Sequence, residues 1–186
     1  VADAMRTVWA SLWNARAYDE RSNAGIRRDT LAMGILVHPA SLGEGGNGVG
    51  VSRNIMEPIR GDQYYINAQL GEASVTNPAP AVTTEQLVYQ WYRTPPVLYQ
   101  SDSSLLSAYP VPPAHVLSAA EVEDVACALE AVHDHFRPLL DPQAENAWFA
   151  MEIEFKIMGP GRQLLVKQAR PHSFGRREII ADCREF

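Results

Sequence analysis

Two cysteines, Cys127 and Cys183, stand in 186 residues, too few for a disulfide scaffold. Their scarcity points to a reducing, cytoplasmic setting in which thiols simply pack. No apolar run approaches the ~20 residues that span a bilayer, and the chain does not open on a basic start followed by an apolar stretch. Membrane and secretory readings are therefore disfavoured. Basic residues are nearly absent from positions 61–145, where only Arg93 and Arg137 face eleven acidic residues. Such an acidic middle makes a poor nucleic-acid surface. Any anion must be met by the flanks, which hold the other fourteen basic residues.

Several chemical signatures are missing as well. The glycine-rich run Gly43 to Gly48 has no Gly-Lys-Ser/Thr ending and opens no helix, so neither phosphate-loop nor dinucleotide reading applies. A tight hairpin turn accounts for it better. His133 and His135 stand two apart on an expected helix and face different sides, which excludes a two-ligand metal pair. His115 sits among prolines in a loop. No serine has the GxSxG setting of a hydrolase nucleophile.

What remains is a globular composition, 46% hydrophobic and 20% charged, with net charge −6. Met5, Val8, Trp9, Leu12 and Trp13 recur at helical spacing, predicting an amphipathic helix over 2–21, with Gly25 as a stop. MGILVH (Met33 to His38) reads as a short buried strand closed by Pro39. Strands follow after the glycine run, at 62–68 and at 85–92, and 94–113 reads as a long loop. Ser118 and Glu121 form a capping box ahead of the stripe Val122, Val125, Leu129, Val132 and Phe136, which ends at Pro138. Then Phe149, Met151, Ile153, Phe155 and Ile157 alternate with Glu152, Glu154 and Lys156, a strand returned by LLVKQARP after the turn MGPGRQ. Helices mixed with largely antiparallel strands make one α+β domain over 1–186.

The terminal hairpin carries the most chemistry. Glu154 and Gln168 lie an even number of positions apart and can face each other, with Arg170 opposite Glu152 on the same face. A carboxylate and an amide oxygen suit magnesium, whose ligands are oxygens completed by phosphate and water. A guanidinium beside them can grip a phosphoryl group at two points. The same spacing also describes an ordinary cross-strand Glu/Arg pair on a solvent-facing surface, worth ~0.2–1 kcal/mol.

Five segments in order resemble the phosphoenolpyruvate synthase and pyruvate phosphate dikinase family. They are VWASLWNARAYDERSNAGI (8–26), MGILVHPA (33–40), NGVGVSRN (47–54), QLGEASVTNP (69–78) and AMEIEFKIMGPGRQLLVKQARP (150–171). The resemblance implies the C-terminal half of an ATP-grasp nucleotide-binding domain, with ATP and Mg2+ as ligands. It implies Glu154 and Gln168 as metal and ATP ligands, Arg170 as the catalytic phosphate contact, and Val37 and His38 as backbone contacts to adenine. His38 stands where the family has Gln, a change that backbone contacts survive. Asn54 and Ile55 replace an Asp-Pro, and Asn77 replaces a Gly whose turn Asn can also adopt.

The implied partners are the N-terminal ATP-grasp subdomain and a phosphohistidine domain, in cis or in trans, neither of which is recognised in these 186 residues. The expected role is the ATP-binding part of a dikinase-type phosphotransferase, acting through a histidine elsewhere on pyruvate or another acceptor. Alone, the chain is expected to be inactive. The rival is a non-catalytic interaction or regulatory module that keeps the fold. Neither reading involves nucleic acid or membrane, and both leave self-association open.

Overall fold

The computed structural model describes residues 1–27, 29, 31–37, 43–108 and 113–173. The chain divides into two compact units, Val1–Ala40 and Ser41–Phe186. Among the described residues no helix is long and apolar enough to cross a membrane.

In the first unit, the single helix expected over 2–21 is two: α1 (Ala2–Ser11) and α2 (Ala15–Asn23). Asn14 makes the break. Its side chain accepts a hydrogen bond from Ala17 N at 2.9 Å and caps α2, because a short amide competes well for the free N–H groups of a helix start. Arg21 donates to the Leu12 carbonyl and holds the corner. Gly25 stops α2 as its sequence suggested: at φ +67° it lets Ile26 N reach Arg21 O and Gly25 N reach Ser22 O, a Schellman closure. The strand expected at Met33 to His38 is not found. Residues 33–37 have no regular structure and enter no strand pairing, with Leu36 85% and Val37 68% exposed. An apolar run becomes a strand only where a neighbour takes its backbone groups. His38 lies outside the described residues.

The second unit is built on one six-stranded sheet. Its strands are β1 (Glu44–Val51), β2 (Gln63–Leu70), β3 (Glu85–Gln90), β4 (Val97–Ser101), β5 (Met151–Met158) and β6 (Gln163–Pro171). The order β4-β3-β2-β1-β5-β6 is antiparallel at every step. β1 to β4 form a meander. The chain then crosses one face as α3 (Ala119–Leu140) and returns to pair β5 with β1. An antiparallel sheet crossed by α3 is an α+β arrangement among the described residues.

Three local expectations change. The glycine run is not a turn but most of central strand β1. Residues 97–101 of the expected loop form edge strand β4, followed by a 3-10 turn at Ser104–Ala108. And α3 continues past Pro138 to Leu140, so proline falls in the last turn instead of ending the helix. The capping box itself is present, with Ser118 Oγ accepting from Glu121 N and Glu121 Oε2 from Ser118 N.

The core explains the glycines. Val122, Val125, Ala126 and Leu129 of α3 press on Ile153, Phe155 and Ile157 of β5 and on Ile66 and Leu87. β1 runs beneath them and contributes Gly46, Gly48 and Gly50 to that face, all buried. A Cβ at Gly48 would lie 2.3 Å from Phe155 Cζ and 2.6 Å from Asn67 O; one at Gly50 would lie 2.9 Å from Leu129 Cδ1. Gly48→Ala forces the Phe155 ring and a strand carbonyl apart together. It should destabilise the fold by ~1–3 kcal/mol, the usual cost of overpacking, as read from the urea unfolding midpoint.

Candidate functional site on the open face of the sheet

Alternation along the strands sends one set of side chains into the core and the other to the face away from α3. On that face the strand pairings align a lateral row of Gln86, Asn67, Val49, Glu154 and Gln168. One row places Gln69, Asn47 and Lys156 together, and the other places Val51, Glu152 and Arg170. Five strands of the sheet thus carry amides and charges where an apolar layer would otherwise pack.

The β5–β6 register supports this grouping. The turn reverses through Gly159 at φ +68° and Arg162 at φ +48°. Glu154 then faces Gln168, and Glu152 faces Arg170, the pairing that the even spacing permits. A bulge keeps the match: Phe155 faces Val166, so Lys167 is the extra residue on β6. Arg162 anchors the turn to α3. Its Nε lies 2.6 Å from Glu121 Oε1, and Nη2 reaches Glu121 Oε2 at 3.1 Å and Val116 O at 2.9 Å.

Glu154, Lys156 and Lys167 line a cleft of about 160 Å³ with Asn47 and the loop Ser74 to Thr76. Asn47 shapes that loop, donating through Nδ2 to Gly71 O at 2.7 Å and Ala73 O at 2.9 Å. Lys156 reaches Glu44 Oε2 at 2.6 Å across the β1–β5 pair. Among the described residues, Asn67 Oδ1 is buried without a hydrogen-bond partner. Oxygen donors with two ammonium groups at the rim form a surface on which an anion and a hard cation can be held together.

The five residues singled out in the sequence fare differently. Glu154 and Gln168 come together, and Arg170 shares their face, 60% exposed at its side chain. Arg170 is also engaged: its Nε donates to Glu152 Oε1 at 2.9 Å, while His172 Nδ1 lies 2.9 Å from Glu152 Oε2. Val37 belongs to the first unit, and His38 is outside the described residues. Asn47, Asn67, Lys156, Lys167 and His172 were not singled out. Asn67 carries a signal, as a polar residue inside the strand expected at 62–68, whereas Asn47 falls in the glycine run expected to turn.

Burial pushes the Glu152 carboxyl up, but hydrogen bonds from His172 and Arg170 outweigh it and hold the group below the ordinary carboxylate range. The lowered folded value means this contribution is complete above the unfolded value and lost as pH falls through the folded one. Arg170→Ala should therefore raise the Glu152 pKa, followed by carboxyl 13C shifts in an acid titration. An unmoved midpoint would show that the ion pair contributes nothing.

No curated protein matches this chain. A family model described as pyruvate phosphate dikinase, AMP/ATP-binding domain matches residues 1–183, all but the last three positions. That match spans both units and includes every residue of the sheet face just described. The chain therefore belongs to the pyruvate phosphate dikinase AMP/ATP-binding domain family.

Proposed function

We propose that this chain is the ATP-binding part of a phosphoenolpyruvate synthase or pyruvate phosphate dikinase-like phosphotransferase, forming the C-terminal half of an ATP-grasp domain. The reading rests on the Glu154–Gln168 pairing beside the Lys156 and Lys167 cleft. Membership of an AMP/ATP-binding family supplies the nucleotide.

Glu154 and the Gln168 amide oxygen would hold Mg2+, and their all-oxygen donor set suits that hard ion. Bound magnesium neutralises phosphate charge. Arg170, held across the β5–β6 pair by Glu152, would present its remaining N–H groups to a phosphoryl oxygen. Lys156 and Lys167 add positive charge at the cleft rim. Backbone groups of Val37 and His38 would meet the adenine. A histidine nitrogen on another domain would attack the β-phosphorus and break its bond to the α-phosphate oxygen, so that AMP leaves. The γ-phosphate would then be lost to water or phosphate, and the phosphoryl left on nitrogen would pass to pyruvate or another acceptor, freeing the histidine. This chain's share of catalysis is positioning and charge neutralisation.

A second reading, a binding module without phosphotransfer, draws on two observations. The Arg170 guanidinium is already shared with Glu152. Asn54, standing where the family has Asp, is buried in the fold's own network, donating to Gln63 Oε1 at 2.8 Å and accepting from Met56 N at 2.9 Å.

With one wall of the cleft, the chain should bind Mg-ATP with a dissociation constant at or above the order of 1 mM, a binding free energy of only ~4 kcal/mol. Amide shifts in an NMR titration should cluster at Glu154, Lys156, Lys167 and Gln168 and vanish in Glu154→Ala. Shifts that ignore this face would refute the assignment. In a protein that also carries the histidine domain, Glu154→Ala or Arg170→Ala should slow phosphoryl transfer by roughly two orders of magnitude or more. Both should alter stability by no more than ~0.5 kcal/mol. Ile153→Ala, on the buried face, should instead cost ~2–5 kcal/mol. Full transfer in Glu154→Ala would leave only the second reading.

A further inference from the structure

On the opposite, α3-facing side of the sheet, three potential ligands converge from three segments. Glu85 opens β3, Asp102 follows β4, and His115 precedes α3. One ligand atom from each lies within 4.8 Å of the other two. We propose that Glu85, Asp102 and His115 form a binding site for a divalent cation of the zinc class.

Glu85 is completely buried, and its orientation is set before any ligand arrives. Oε2 accepts from Val116 N at 2.8 Å and Oε1 from Leu117 N at 3.1 Å, leaving further lone pairs on both oxygens. The His115 ring is fixed by Tyr99, stacked on it at 3.7 Å between centroids and 7° between planes. This stacking turns Nδ1 toward both acids, 3.3 Å from Glu85 Oε2 and 3.7 Å from Asp102 Oδ1. Yet Nδ1 is buried and, among the described residues, makes no hydrogen bond. A buried nitrogen with no hydrogen bond, held between two carboxylates, is an arrangement a metal ion completes.

The spacing selects the class of ion. Zinc bonds of ~2.0–2.1 Å in a tetrahedron put neighbouring ligand atoms about 3.3–3.4 Å apart. The observed 3.3 and 3.7 Å separations suit that geometry. An imidazole nitrogen also favours zinc, cobalt or copper over magnesium and calcium, which seek all-oxygen sites. Asp102 is 69% exposed at its side chain, so one side of the cluster opens to water for a fourth ligand. Charge agrees. Among the described residues the ion pairs of Glu85 and Asp102 run to His115 alone, with no Lys or Arg beside them. A dication would balance two carboxylates in the most acidic stretch of the chain. It would also fasten β3, the end of β4 and the approach to α3 to one point, away from Glu154.

The test titrates the full chain, freed of metal and without nucleotide, with ZnCl2 by calorimetry and with CoCl2 by visible absorption. One equivalent should bind, with a tetrahedral cobalt spectrum and a raised Tm, because an ion that binds only the folded state stabilises it. His115→Ala and Asp102→Asn should each weaken binding at least tenfold, and Asp102→Asn, at an exposed position, keeps the fold for comparison by circular dichroism. Cys127→Ser, which removes an exposed soft ligand elsewhere, should leave the affinity unchanged. The proposal is overturned if no stoichiometric binding occurs, if both ligand variants bind as tightly as the parent, or if Cys127→Ser abolishes binding.

Discussion

β1 sits at the centre of the sheet because it offers no side chains to the core face at Gly46, Gly48 and Gly50. Phe155 and Leu129 occupy the space that those side chains would have taken. Interiors are packed to near-crystalline density, so an aromatic ring at this depth requires an empty Cβ position beneath it. β2 and β5 both pair with this strand, and α3 crosses over it. The glycines therefore set how closely the meander and the terminal hairpin join. The order β2-β1-β5 in turn sets which residues become neighbours on the far face.

Two fastenings carry that geometry outward. The capping box starts α3, and its Glu121 carboxylate is also gripped by Arg162 from the β5–β6 turn. One acidic side chain thus serves the helix N-terminus and the hairpin, and the Arg162 hydrogen bond offsets the effect of its burial and holds its pKa below the ordinary range. The bulge at Lys167 does the finer work. Without the extra residue, the pairing of Phe155 with Val166 would continue as Glu154 with Lys167, and Gln168 would fall on the opposite face.

The two faces of the sheet divide the chemistry. The α3 side is apolar except at its margin, where Glu85 is buried and held by two backbone N–H groups and a histidine. The open side carries amides, carboxylates and lysines in aligned rows. Rigid strands suit such a site, since a carboxylate and an amide on paired strands cannot drift apart without breaking the ladder.

Sequence alone was sufficient wherever a local pattern has one physical outcome. Strict alternation from Met151 to Met158 could only be a half-buried strand, and Ser118 with Glu121 could only cap a helix; even spacing allowed Glu154 to face Gln168, but the bulge at Lys167 decided it. Family membership, too, lay open in the ordered segments that end in QARP. Other features depended on partners distant in the chain. The glycine run resembled a turn because its reason for being glycine, Phe155, lies more than a hundred residues away. MGILVH had the composition of a strand, but the described part found no neighbour to pair with. Residues 97–101 looked like loop until β3 supplied the ladder. His115 was unremarkable among prolines, and only the packing of β3 and β4 placed Glu85 and Asp102 around it. A strand, a buried glycine and a ligand cluster are all contracts between distant segments, and tertiary structure alone decides the other party.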